Sequence, residues 1–378
     1  MLETVAGSDP RSLLIAGALI VGVAFGLLAR ASGFCLRSAL MEFRLRRPGL
    51  RALAWAAALL TAVAGTQVLA RQGLVDLGDS LYLAPRVNLL ALTLGGLLFG
   101  LGLVLARGCG ARHLVLAAGG NLRSWVVLAA LALVAYASLR GILAPLRLWL
   151  EGLVSLPVES AGGQAVPQLL AGLGGLMAAD LTLLVVGLLA VGLLPVLLQG
   201  LRREGWRAAA WGQVLAGIGI GLLIPLGWYV TGVLAADDFD PVPLESLSFT
   251  APVGDSLQYL MTYTGAALDF GIVAVGGTLL GAALWAGPRR EVRLEGFTAP
   301  GQLLRYLAGA ALMGLGGVLA LGCTVGAGLS GVSTLSLGSM IALGAIALGA
   351  RAALALEAAA ARGALWPGLA PRLSRSRG

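Results

Sequence analysis

Three cysteines follow the same glycine pattern along the chain, and the sequence of 378 residues contains no others. The stretches Gly22–Gly26 and Gly96–Gly100 both read GxxFG, and each ends nine residues before a cysteine. A third copy keeps a glycine at the same offset before its cysteine. The cysteines are therefore equivalent positions of one repeated unit, and we treat them as a set: Cys35, Cys109 and Cys323.

A fourth copy of the pattern lacks the thiol. Gly217–Gly221 repeats the glycines, but Val230 stands where the other copies have cysteine. Thiols are weak S–H donors and soft acceptors. Three of them in register favour a site for a soft, polarizable anion.

A short glycine-rich piece, too brief to cross a membrane, follows each copy: residues 32–38, 107–112, 321–328 and 225–232. Non-helical backbone at membrane depth persists only where it is buried in protein or lines a wet cavity. Such pieces bring half-helix N-termini, which favour anions, toward the centre. The predicted pathway residues are the three cysteines with Gly108, Gly110, Gly322, Thr324, Gly326, Thr231, Trp228, Arg37 and Arg112.

The remaining side chains limit the chemistry. The net charge of +8 comes from arginine without lysine, and no basic run is interleaved with aromatic residues, so nucleic acid is not an expected partner. Carboxylates are scarce inside the apolar stretches, which argues against a proton relay or a Na⁺ cage. One histidine and three widely spaced cysteines do not make a zinc site. We expect no metal, no cofactor and no enzymatic step.

Composition places these residues in a membrane. The chain is 58% hydrophobic and 12% charged, with a mean hydropathy of +0.91. Several apolar runs reach the length of about 20 residues that spans a bilayer. We predict an all-α polytopic membrane protein with about nine transmembrane helices plus short re-entrant pieces, at approximately 12–30, 51–69, 87–106, 122–139, 181–198, 208–224, 266–285, 303–321 and 333–350.

Arginine-rich loops predict the orientation, because positive charges accumulate on the cytoplasmic side. With nine spans, the first loop, the loops between helices five and six and between seven and eight, and the C-terminal tail share that face. The N-terminus is then outside and the C-terminus cytoplasmic, in a bacterial inner membrane. Helices one to four and six to nine become inverted, pseudo-symmetric repeats. The predicted division is 1–140, 141–205 (irregular external segment plus linking helix), 206–352 and a basic tail, 353–378.

These motifs resemble the YeeE/YedE family of sulfur-transport membrane proteins. The resemblance rests on residues 22–35, on residues 95–121 with Gly108-Cys109-Gly110, on residues 225–229, and most sharply on residues 322–339. It implies pseudo-symmetric halves, thiosulfate as substrate and a relay through Cys35, Cys109 and Cys323. It also implies a small cytoplasmic sulfur-carrier protein as a partner.

Two alternatives stay open. The thiols could belong to an intramembrane sulfurtransferase or disulfide carrier, which requires a persulfide or a disulfide. The protein could instead be a permease for a selenium compound or another sulfur oxyanion.

Overall fold

The computed structural model describes residues 9–44, 49–158, 163–174, 178–205, 207–237 and 241–361. Within these ranges nearly all regular structure is helical, and the two short strands, β1 (Arg86–Asn88) and β2 (Ser155–Pro157), pair antiparallel. The helices are α1 (Pro10–Ser32), α2 (Leu36–Arg44), α3 (Leu50–Arg71), α4 (Leu89–Leu105), α5 (Gly110–Ala117), α6 (Leu122–Arg140), α7 (Ala144–Leu153), α8 (Val166–Gly174), α9 (Ala178–Arg203), α10 (Ala208–Tyr229), α11 (Thr250–Met261), α12 (Phe270–Ala286), α13 (Pro300–Leu319) and α14 (Leu337–Ala361).

Eight stretches of the described chain are long and apolar enough to cross a membrane, and they contain α1, α3, α4, α6, α9, α10, α13 and α14. A ninth apolar helix, α12, has 17 residues. At about 1.5 Å per residue, α12 is slightly shorter than the hydrocarbon core of about 30 Å. The fold is therefore an all-α polytopic membrane fold.

The repeated glycines lie where helices cross at close range. On α1, a Cβ added at Gly22 would lie 2.5 Å from the carbonyl oxygen of Ala274 in α12. On α4, a Cβ at Gly96 would lie 2.8 Å from the carbonyl oxygen of Ala342 in α14. Only a residue without a side chain permits such close approach, which is the packing device of helices in lipid.

Helix pairing follows the repeat. The copies of the glycine pattern lie on α1, α4, α10 and α13; α4 and α13 pack along each other, and each of the four also packs along a further helix. In the order of those copies, the partners are α12, α14, α3 and α6. The α1–α12 pair corresponds to the α10–α3 pair, and the α4–α14 pair corresponds to the α13–α6 pair. This correspondence is what a repeat of the first half in the second half predicts. The relation of the halves by an axis in the membrane plane stays a prediction.

The irregular segment contains more order than its proline content suggested. Helices α7 and α8 and strand β2 occupy it, and Val158 N–H donates to the Pro85 carbonyl oxygen at 3.0 Å. Helix α14 continues to Ala361, so the expected tail boundary at 353 is wrong. Several charged residues used for orientation lie outside the described residues: Arg46, Arg47, Asp238, Asp240, Arg362, Arg372, Arg375 and Arg377.

Candidate functional site

Each cysteine follows a backbone turn of the same kind. The residue two positions before each cysteine has left-handed backbone angles: Gly33 at φ 61°, Arg107 at φ 63° and Leu321 at φ 56°. These residues stop α1, α4 and α13, as left-handed C-terminal caps commonly do. Three helices therefore end with one geometry, just before a thiol.

A short helical piece begins at each cysteine. The carbonyl oxygens of Cys35, Cys109 and Cys323 accept hydrogen bonds from the backbone N–H four residues later, at 3.2, 3.0 and 2.9 Å. The pieces that follow are α2, α5 and a π-helical turn at Gly326–Gly331. Helix N-termini carry unpaired N–H groups and a partial positive charge, so each thiol lies where an anion is favoured.

Two of the thiols face one small cavity of about 10 Å³, which we call the thiol cavity. Its volume is roughly that of one water molecule, so it has no room for a larger ion in this structure. The polar and aromatic residues that line it include Cys35, Cys109, Phe34, Trp55, Arg112 and Thr324. The three cysteines are free and buried.

Cys323 lies on the far side of this constriction. Its side chain is fully buried, its neighbours Thr324 and Val325 line the thiol cavity, and its charge would interact with that of Cys109. The Gly326 N–H donates to Cys323 Sγ at 3.4 Å. The backbone amide of Phe249 faces the same sulfur. Converging amides of this kind form an anion-binding concavity.

A larger cavity of about 480 Å³, which we call the vestibule, reaches Gly322 from the opposite side. Its lining includes Tyr82, Arg147, Glu245, Ser248, Leu321 and Gly322. The Tyr82 ring lies close enough to both Cys323 and Glu245 for their charges to interact with its hydroxyl. The vestibule therefore extends from the exposed carboxylate Asp79 to Gly322, the residue before Cys323.

Carboxylates in and near the vestibule hold their protons unusually well. Burial, with Asp269 and Asp255 nearby, raises the pKa of Glu245 to about 8. Burial and the neighbouring Asp269 raise the pKa of Asp255 to about 6. The raised pKa values follow from removal of the charged forms from water and from like-charge repulsion. This arrangement lowers the negative charge near the vestibule at neutral pH.

The other end of the pathway is rich in arginine. Arg112 lines the thiol cavity and lies near Arg30 and Arg51, while Arg37 lies near Cys35 and Arg107. Arg37 is 4.0 Å from Glu357, which also pairs with Arg305. Arg30 also pairs with Glu291 at 3.2 Å, but the six guanidinium groups outnumber the two carboxylates, so this end attracts anions.

The predicted residues of the fourth copy lie away from the thiol cavity. Trp228 is buried in α10 and donates to Ser333 Oγ at 3.2 Å. The expected break at residues 225–232 is wrong, because α10 continues to Tyr229 and passes into a π-helical turn at Val230–Leu234. Thr231 donates to the backbone carbonyl oxygen of Glu245 at 2.8 Å and thereby holds the loop beside the vestibule.

The predicted glycines divide between the two sides. Gly108 and Gly110 flank Cys109, and Gly110 begins α5. Gly322 lines the vestibule, and Gly326 supplies the amide that faces Cys323. Sequence reasoning missed Phe34, Trp55, Tyr82, Glu245 and Ser248 as lining residues. For Phe34, adjacency to Cys35 was a usable signal.

Comparison with known proteins bears on this site. Residues 31–352 match the family model described as sulphur transport. The chain is also similar to a curated protein from Escherichia coli (strain K12), the thiosulfate transporter TsuA. The two are 25% identical over 327 residues, which cover 84% of this chain and 87% of the relative.

Proposed function

The chain belongs to the sulphur transport family, and from that premise we propose that it imports thiosulfate across the bacterial inner membrane. The vestibule would be the external entrance, and the arginine-rich end the cytoplasmic exit. The observation that carries the proposal is that a helical piece begins at each of the three thiols, two of which line one cavity with Arg112. The similar thiosulfate transporter supports the choice of ion.

The route follows from the order of groups. Thiosulfate enters the vestibule, where the raised pKa of Glu245 limits repulsion, and meets Tyr82 and Cys323. Its terminal sulfur accepts S–H hydrogen bonds from Cys323, Cys109 and Cys35 in turn. Thiols bind weakly enough to release the ion. Arginine charge then favours the exit side.

No covalent step is needed. The ion's charge and its soft sulfur suffice for recognition at helix N-termini, so the thiols stay unmodified in this mechanism. The thiol cavity of about 10 Å³ is smaller than thiosulfate, so passage requires the turns before the cysteines to move. The left-handed residues Arg107 and Leu321 are natural places for that movement, because they hold strained backbone.

A direct uptake assay tests the function. Labelled thiosulfate is supplied to cells that lack their own thiosulfate import and express this protein. We expect Cys109→Ala and Cys323→Ala to abolish uptake at normal membrane abundance. Val230→Ala is the matched control, because it truncates a buried side chain at the same offset of the fourth copy and removes no thiol.

Three outcomes would contradict the proposal in different ways. Normal uptake by both cysteine variants would remove the thiols from the pathway. A persulfide or disulfide found by mass measurement after exposure to thiosulfate would favour the sulfurtransferase or disulfide carrier. Stronger competition by selenium analogues, sulfite or sulfate than by unlabelled thiosulfate would show that the preferred substrate is another ion.

A further inference from the structure

Two polar side chains at the thiol cavity have no nitrogen or oxygen hydrogen-bond partner within the described part of the chain. They are the indole N–H of Trp55 on α3 and the hydroxyl of Thr324 beside Cys323. Trp55 is 7% exposed and Thr324 is 1% exposed, so water cannot readily satisfy either group. Both residues line the thiol cavity, and the Thr324 hydroxyl faces Cys109.

Such groups are costly unless something binds them. A buried donor without a partner has lost its hydrogen bonds to water and gained none in return. A second buried tryptophan provides the contrast, because the Trp228 indole donates to Ser333 Oγ. Trp55 is held in place without such a bond, since its ring stacks on Phe34 at 5.0 Å between centroids and 15° between planes. The stacked ring keeps the free N–H at a fixed position.

The chemistry of the two groups fits an oxyanion. Indole N–H is a donor only, and a threonine hydroxyl can donate one hydrogen bond. Arg112 adds positive charge at the same cavity. The thiols of Cys35 and Cys109 are the soft groups there. The cavity thus presents hard donors and soft sulfur side by side, which matches an ion with oxygens at one end and a terminal sulfur at the other.

We propose that the Trp55 N–H and the Thr324 hydroxyl bind the sulfonate oxygens of thiosulfate at the constriction while the cysteine thiols face its terminal sulfur. This inference rests on the proposed function and adds to it the residues that recognise the oxyanion end. One donor comes from each half of the chain, so the ion is bound between the halves. Neutral donors bind the oxygens more weakly than a buried ion pair would, and the ion can therefore dissociate.

The test is the concentration dependence of labelled thiosulfate uptake. Trp55→Phe keeps the ring that stacks on Phe34 and removes only the N–H. Hydrogen bonds to charged groups contribute about 1.5–3 kcal/mol, so we expect the KM to rise roughly tenfold to a hundredfold. Trp125→Phe is the control, because Trp125 is 48% exposed on α6. Its KM should equal that of the wild type.

Threonine substitutions give an independent measurement. Thr324→Val removes the hydroxyl at constant shape and should raise the KM to a similar extent, whereas Thr324→Ser keeps the hydroxyl and should restore uptake. This pair decides the question if Trp55→Phe does not reach the membrane. Unchanged KM values in Trp55→Phe and Thr324→Val, with an active wild type, would overturn the oxyanion assignment. An inactive wild type would instead overturn the proposed function.

Discussion

The three segments that carry a cysteine and the fourth, which carries Val230, start from the same glycine pattern and continue into different backbones. In the first three, a left-handed residue two positions before the thiol stops the helix. In the fourth, Trp228 occupies that position, and α10 runs on to Tyr229. The glycines therefore set helix crossings in all four copies, and a separate local turn creates the thiol sites.

The fourth segment has a different neighbour in place of a re-entrant turn. The extended loop that contains Glu245 packs against it, and Ser246 Oγ donates to the Ile224 carbonyl oxygen at 2.8 Å. Thr231 binds the backbone of Glu245. The comparison shows that one repeat unit serves two purposes: three copies present sulfur, and one anchors the wall of the vestibule.

The largest expected effect comes from breaking one turn. Gly322 has φ 149°, and an added Cβ would lie 2.6 Å from the Ala327 backbone nitrogen. Gly322→Ala should therefore abolish uptake and lower the thermal unfolding midpoint in detergent by several degrees, since about 1 kcal/mol corresponds to roughly 1–2 °C for a chain of this length.

The equivalent glycine of the second copy is the matched control. Gly108 has an ordinary backbone angle, and a Cβ there would lie 3.2 Å from the flexible Arg112 side chain and 3.4 Å from His113 Nε2, with no backbone atom among its nearest neighbours. Gly108→Ala should shift the midpoint much less. An equal decrease of the unfolding midpoint in the two variants would show that the turns are sensitive to added side-chain volume and not to backbone conformation.

An effect of intermediate size is the pH dependence of stability that Glu245 causes in the loop packed against the fourth copy. The folded protein keeps the Glu245 proton up to a pKa of about 8, whereas the unfolded chain releases it near 4.5. Because the folded state binds more protons between these values, stability falls as pH rises from about 4.5 to about 8. Glu245→Gln should raise the unfolding midpoint at pH 8 relative to the wild type, by about 2 °C or more.

Thermal unfolding at pH 5 and pH 8 measures this effect. The gain from Glu245→Gln should be small at pH 5, where the wild-type side chain is already protonated. Asp79→Asn is the control, since Asp79 is an exposed carboxylate on the same vestibule. An identical pH profile in Glu245→Gln and wild type would mean that Glu245 is not the titrating group, and Asp255 would be the next to test.

Much of the fold could be predicted from the sequence, because the length of an apolar run and the spacing between a glycine and a cysteine are local features of the chain. Helix α4, predicted at 87–106, spans Leu89–Leu105. The common offset also predicted that Cys35 and Cys109 are equivalent, and the structure brings them to one cavity. The left-handed residues were not predictable, because neither Arg107 nor Leu321 is a residue type that favours this conformation.

Long-range packing explains why the sequence did not predict some of the residues at the site. Trp55 lies in an apolar run, where a lone tryptophan is usually a core residue. In the structure its ring stacks on Phe34, in the loop between α1 and α2, and both residues line the thiol cavity. Glu245 lies in an acidic loop that reads as an exposed surface. Its backbone carbonyl oxygen accepts a hydrogen bond from Thr231, which is 14 residues away and follows a helix that was expected to break.

The smallest expected effect isolates the strain in a single turn. Arg107 is exposed and has φ 63°, a conformation that costs a non-glycine residue about 1–2 kcal/mol. Arg107→Gly should relieve that cost and raise the unfolding midpoint by roughly 1–2 °C. Arg107→Ala removes the same charge, which lies near Arg37 and Arg305, but keeps a Cβ. The difference between the two variants therefore measures the backbone alone. If alanine and glycine give the same midpoint, the turn before Cys109 is not strained. Backbone strain would then not explain movement of that turn. The second and fourth copies would differ in Cys109 and its neighbours and not in stored strain.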